Sequence, residues 1–218
     1  MDGDELSRLR SSVVGYYSDR LRRYGATPLG VDWTCIASQE LRFLQLLKLC
    51  DFGAPFSLND VGCGYGALVG YLARHHAEAR IDYLGIDLAA AMSRRAKRLW
   101  RAYAWAAFVT GDARVRTADY SVASGIFNVK PAQPRATWER FVALTLDGLQ
   151  ASSRRGFAVN FKLERPDDEA PEGLYRVRPE IWIRHCERAY GAAVTLLEGY
   201  GQPEFTLLVY RRNTASRT

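Results

Sequence analysis

The sequence predicts an α/β protein: a doubly wound three-layer sandwich around a mostly parallel sheet, preceded by N-terminal helices. Short apolar runs alternate with helical stretches from residue 56 onward, the rhythm of parallel strands joined by crossover helices. Glycines follow the first run directly, where a central strand must turn abruptly into a helix. The last two apolar runs are separated only by Gly201-Gln202-Pro203. So short a connection joins antiparallel neighbours, because a parallel crossover needs about a dozen residues or more.

The elements follow in order. Leu6, Leu9, Val13, Tyr16 or Tyr17, and Tyr24 recur at helical spacing until Gly25 and Pro28 break the pattern. A second helix is expected from Ser38 to Cys50, with Leu41, Phe43, Leu44 and Leu47 on its apolar side. The loop between them carries Val31 and Trp33, and the two helices are placed either to form a lid or to cover one side of the sheet. FSLNDV is the first strand, ending at Asp60, and a helix from Ala67 to His76 follows its glycine turn. RIDYLGID, WAAFVTGD and DYSVASGIF read as strands two to four, with a helix from Leu88 to Arg101 after the second. A helix from about Thr137 to Leu149 leads to strand five, GFAVNFKL. Pro179 opens and Gly191 closes a last helix, and AAVTLLEGY and EFTLLVYRR form the terminal antiparallel pair. The charged stretch from Arg165 to Gly173 is expected to be a mobile excursion.

With 218 residues and 48% hydrophobic side chains, the chain has material for one continuous core rather than a disordered polymer. The organisation expected is a helical cap over 1–50 and a core over 51–218, within a single structural domain. No run reaches the roughly 18 apolar residues of a membrane span, and the start lacks a signal-peptide stretch, so a cytoplasmic protein is expected. Cysteines at 35, 50, 63 and 186 are too widely spaced for a zinc ribbon, and no metal site is predicted. The net charge of +6 would steer a polyanion. Only Lys48, Lys97, Lys130 and Lys162 are lysines, however, and the arginines are scattered, so nucleic acid is the lesser reading.

The strongest local signal is Asp60-Val61-Gly62-Cys63-Gly64-Tyr65-Gly66. Backbone exposed at such a turn admits close approach of a ligand, and the following helix offers free N–H groups. Asp87 ends the next strand, and its two oxygens suit a pair of ribose hydroxyls, although aspartate also favours helix N-caps. Asp112 ends the third strand in the right order to accept from an adenine amino group, with the backbone at Ala113 beside it. Leu88 offers apolar surface to the base.

These residues resemble the class I S-adenosylmethionine-dependent methyltransferases. DVGCGYG matches their acidic-x-glycine-x-glycine-x-glycine motif, Asp87 their ribose-binding acid, and Gly111-Asp112 their adenine-side pair. The resemblance spans roughly residues 50 to 218. It implies a seven-stranded sheet of order 3-2-1-4-5-7-6 with one antiparallel strand. It also implies S-adenosylmethionine as cofactor, its methionine part surrounded by the backbone of Gly62, Cys63, Gly64 and Gly66, with Asp60 near its amino group. GVDW, Gln39-Glu40-Leu41-Arg42-Phe43 and SGIFNVK look like features of a small bacterial subgroup and do not name the acceptor.

The activity expected is methyl transfer by direct in-line displacement to an oxygen or nitrogen of a small metabolite, by a monomer or homodimer. Ser124 and Asn128 end strand four beside the methyl position, Ser124 counting among the cofactor contacts. Gln39 and Arg42, three apart on one helix, are placed to close over the pocket, Arg42 as a fork for a carboxylate or phosphate or else paired to an acid. Phe127 is placed to wall the pocket, and Asp32, Trp33 and Asn160 are lesser contacts. No catalytic base is evident. The alternatives are an RNA or protein methyltransferase and a non-catalytic S-adenosylmethionine-binding partner or sensor. A nicotinamide-dependent oxidoreductase fits less well, because Asp60 would crowd a pyrophosphate.

Overall fold

A computed structural model describes residues 2–164 and 173–212. Helix α1 (Gly3–Tyr24) starts where the Asp2 carboxylate accepts from the Glu5 N–H at 2.6 Å. Acids fill its first turn, Arg22 and Arg23 its last, and Gly25 ends it. A 3-10 turn (Pro28–Val31) leads to α2 (Ile36–Leu47), which begins two residues earlier than expected because the Cys35 thiol caps Ser38.

Strands β1 (Phe56–Val61), β2 (Ile81–Asp87), β3 (Ala106–Thr110), β4 (Ala118–Ala123) and β5 (Ser153–Leu163) form the parallel part of the sheet. Helices α3 (Ala67–His75), α4 (Ala90–Leu99) and α5 (Arg135–Ala151) connect them. After α6 (Pro179–Tyr190) come β7 (Ala193–Leu197) and β8 (Glu204–Tyr210), with β8 antiparallel to both β5 and β7. The order β3-β2-β1-β4-β5-β8-β7 is the expected one, and the reversed strand is β8. An additional two-residue strand, β6 (Arg176–Val177), pairs with the end of β5; two residues give no periodicity to read in a sequence. The fourth strand is shorter than expected, stopping at Ala123, because Gly125 turns the chain at φ 69°. The expected excursion from Arg165 to Gly173 lies, but for Gly173, outside the described residues.

Alternating side chains divide the core between the two faces of the sheet. Phe157, Val159 and Phe161 of β5 pack with α5 and α6, whereas Ala158 joins the layer beneath α2 and α3. Leu9 is the fully buried residue of α1, so that helix lies on the molecule rather than within it. Among the described residues no helix is long and apolar enough to cross a membrane.

Candidate cofactor and acceptor site

A cavity opens over the carboxyl ends of β1, β2 and β4, the ligand side of an open α/β sheet. It is partly open to solvent, with the polar strand ends on one part of its lining and apolar side chains on the rest. Of the predicted cofactor residues, Asp60, Gly62, Cys63, Gly64, Asp87, Leu88, Asp112, Ala113 and Ser124 all line it.

Gly66 does not. A Cβ there would lie 2.8 Å from both the Phe108 and Trp100 rings, so this glycine lets aromatic side chains reach the backbone at the start of α3. The Trp100 indole also donates to the Tyr65 carbonyl at 2.9 Å, fastening the glycine loop to α4.

The three acids differ in their surroundings. Asp60 is buried and accepts from the Tyr83 hydroxyl at 2.6 Å. Burial pushes its carboxyl up to about 7, opposed by that bond and reinforced by the charge of Asp87. Asp87 accepts from the Ala89 N–H at 2.8 Å and the Gly64 N–H at 2.9 Å, so it ties the glycine loop to the entry of α4 while facing the cavity. Burial pushes it up to about 6 against those two bonds. Each carboxylate oxygen has a second lone pair, which leaves acceptor capacity for a ligand. At Asp112 burial acts upward, but the Arg114 N–H and the Arg10 guanidinium outweigh it and hold the carboxyl below its usual range.

Arg10 comes from α1 and pairs with Asp112 at 2.7 Å; with Val13 and Tyr17 it makes α1 a wall of the cavity. The sequence stripe marked α1 as amphipathic but did not say that its Arg10 faces the cavity. Val31 and Trp33 form a second wall, and the loop that carries them is tied to α1 through Asp32. That carboxylate pairs with Arg20 at 2.6 Å and accepts from Tyr16, so Asp32 holds the loop rather than lining the cavity.

Two acceptor-side expectations are corrected. Arg42 does not face the cavity. Its guanidinium grips Glu204 of β8 through Nε at 2.5 Å and Nη2 at 2.7 Å, donates to the Ser38 carbonyl, and lies 3.8 Å from the Trp33 ring centroid. Glu204 is fully buried, and an unpaired charge there would be costly, which is why Arg42 turns inward. Phe127 is fully buried among Phe141, Phe161 and Trp138, and its neighbour Ile126 reaches the cavity instead.

Gln39 does line the cavity, where it accepts from the Tyr65 hydroxyl at 3.1 Å. Asn160 is buried outside it, accepting from the Gly125 N–H at 2.7 Å and donating to Glu204 at 3.0 Å. Asn128 is buried one layer behind the lining, and neither of its amide atoms has a partner; the Ser124 hydroxyl is also without one.

A family model described as a methyltransferase domain matches residues 59–145, the segment that carries the glycine loop and all three acids. The Mycobacterium tuberculosis protein named "Putative methyltransferase Rv1506c" is 41% identical over 164 residues, covering 75% of this chain and 98% of that protein. The chain belongs to the class I S-adenosylmethionine-dependent methyltransferases. Solved structures of similar fold include the magnesium protoporphyrin IX methyltransferase of Synechocystis PCC 6803. With S-adenosylhomocysteine bound it matches at a TM-score of 0.66 and 16% identity, covering 94% of this chain and 99% of that one. With S-adenosylmethionine bound it matches at 0.64 and 17%, covering 97% and 98%.

The cofactor of this methyltransferase is S-adenosylmethionine. The donor set suits it: acids at three strand ends for a cationic ligand rich in hydroxyl and amino donors, and a glycine turn lining the cavity at Gly62 and Gly64, with φ of 73° and 55°, against which Ile126 and Val31 pack.

Proposed function

We propose that this methyltransferase modifies an oxygen or nitrogen of a small metabolite. The observation that carries this reading is the roof over the cavity: α1, the Val31–Trp33 loop and α2 contribute Tyr17, Trp33, Gln39 and Phe43 to its walls. A roofed cavity suits a compact acceptor, whereas a polymer would need an open groove. The solved relative that acts on magnesium protoporphyrin IX, itself a small molecule, supports the same class.

Asp87 would hold the ribose hydroxyls, Asp112 and the Ala113 backbone the adenine, and Asp60 the amino group, with Gly62 to Gly64 against the methionine part and Ser124 beside it. Bound S-adenosylmethionine supplies a methyl group on a sulfonium, already a good leaving group. The chain's own work is to align the acceptor and exclude water, effects worth up to about 7–11 kcal/mol in favourable systems. Val31, Trp33 and Ile126 supply the apolar walls that keep water out. Tyr65 is no base, since burial raises its phenol and it donates to Gln39.

Incubation with methyl-labelled S-adenosylmethionine and fractionated metabolite and RNA pools tests the proposal. Label is expected in the metabolite fraction, and label confined to RNA overturns it. Heat released on titrating cofactor without label transfer to any pool would point to a sensor instead.

A further inference from the structure

The acceptor end of the cavity has a chemical character that narrows the substrate, given the small-metabolite reading above. Among the described residues four charged side chains line the cavity: Arg10, Asp60, Asp87 and Asp112. The one cation among them is already paired with Asp112. Two arginines next to the Trp33 loop are also engaged, Arg20 with Asp32 and Arg42 with Glu204. A phosphate or carboxylate on the acceptor would therefore find no free cation in the lining and would sit in the field of Asp60 and Asp87. Burying such a charge unpaired is costly.

The walls away from the acids are instead apolar, with Trp33 and Phe43 facing the space and Val31 and Ile126 closing over the glycine loop at Gly64 and Gly62. Trp33 is the most particular of them. The Arg42 guanidinium covers one face of its ring at 3.8 Å, so the indole presents its other face or its edge to the cavity. A cation on one face withdraws electron density from the ring, and ring edges are positive in any case; both arrangements favour an electron-rich π-system as the partner.

Ser124 in the lining and Asn128 just behind it are neutral, and both are orphaned. A Cβ built on Gly125 would meet Trp33 Cζ2 at 2.1 Å and Asn128 Nδ2 at 3.3 Å, so indole and amide converge on the turn that follows Ser124. Neither the Asn128 amide nor the Ser124 hydroxyl has a hydrogen-bond partner, and a buried unpaired polar group costs about 1–3 kcal/mol. Native proteins leave few such groups, and an absent ligand is one reason for them.

We infer that the acceptor is an uncharged, electron-rich aromatic compound, a phenol or an arylamine, held against Trp33 with its hydrogen-bonding group toward the Ser124–Asn128 turn. Saturation-transfer NMR on protein loaded with S-adenosylhomocysteine tests this, using naphthol, naphthylamine, naphthalene, naphthoate, naphthyl phosphate and saturated decalol as probes. Naphthol and naphthylamine are expected to bind about ten-fold tighter than the two anions and the saturated alcohol, a difference of about 1.4 kcal/mol. Trp33→Leu, brought to saturation with S-adenosylhomocysteine first, is expected to weaken naphthol to the level of decalol. Asn128→Leu removes an amide that bonds to nothing in the free protein, and it is expected to abolish the preference for naphthol over naphthalene. Anions that bind as tightly as naphthol, naphthol that does not bind, or an undiminished naphthol preference in Asn128→Leu would each overturn the inference. A protein that fails to take up S-adenosylhomocysteine at all would fail the cofactor reading instead, which keeps the two failures apart.

Discussion

At Asp60 and Asp87 the protein keeps two carboxyls partly protonated near neutrality, about 7 and about 6, because both are buried where a ligand belongs. Both folded-state values lie above the usual carboxylate value. Between about pH 4 and pH 7 the folded chain therefore holds protons that the unfolded chain has released, and these two groups cost stability as pH rises through that window. Asp60→Asn removes the larger part of this, so its melting temperature relative to wild type is expected to climb from pH 4 to pH 7. A difference that stays flat would show that Asp60 is not raised. If the cofactor ammonium sits at Asp60, binding should release a proton near pH 6, read as a dependence of the binding heat on buffer ionisation enthalpy, and Asp60→Asn should abolish it. Asp87→Ala removes both the proposed ribose contact and the two bonds, from the Gly64 and Ala89 N–H groups, that tie the glycine loop to the entry of α4. A loss of ten-fold or more in cofactor affinity is expected, together with about 1 kcal/mol of stability measured by urea unfolding. The acids were legible in the sequence because each ends a strand, and strand ends converge on one edge of a doubly wound sheet. The inward turn of Arg42 was not, since nothing in the run Gln39–Phe43 announces a buried Glu204 lying 162 positions later.

At the scale of elements, α1 is held differently from the rest. It buries Leu9 fully, packs Leu6 and Val13 partly against the core, and is further held by partly exposed ion pairs: Arg10 to Asp112, Glu5 to Arg140, and Arg20 to Asp32. Such pairs are each worth about 1 kcal/mol or less, and about 1 M salt shortens their range to roughly 3 Å. Hydrogen exchange is therefore expected to report α1 opening well before β1 or β5, and added salt should widen the gap. Equal protection of α1 and β1 in high salt would contradict this account. The sequence showed that α1 and α2 exist and left open whether they cap the cavity or cover the sheet. Periodicity tells which face of a helix is apolar, whereas docking is decided by contacts such as Arg10 with Asp112 that join distant positions.

Across the whole molecule, the Arg42–Glu204 pair ties the second helix to the last strand and links both to Asn160 and the Gly125 turn. Lys162 also reaches Glu204, at 3.3 Å, so Arg42→Ala is expected to cost less in urea unfolding than the about 3–5 kcal/mol of a buried charge left wholly unpaired. Arg42→Met combined with Glu204→Leu should recover part of that loss, and a double variant no better than the single would argue against charge burial as the cause. The strand order was readable from spacing and from the short Gly201-Gln202-Pro203 connection; the two-residue β6 was too short to leave a trace. The position of β8 also has a bearing on how the chain is made. It follows β7 in sequence yet lies between β7 and β5, and β7 pairs with no strand but β8 among the described residues. As the polypeptide leaves the ribosome, β5 must wait with a bare edge and β7 must wait without a neighbour until the closing hairpin emerges. Sheet completion is thus a late, post-emergence event, and a nascent chain stalled before Glu204 is the form most in need of a chaperone.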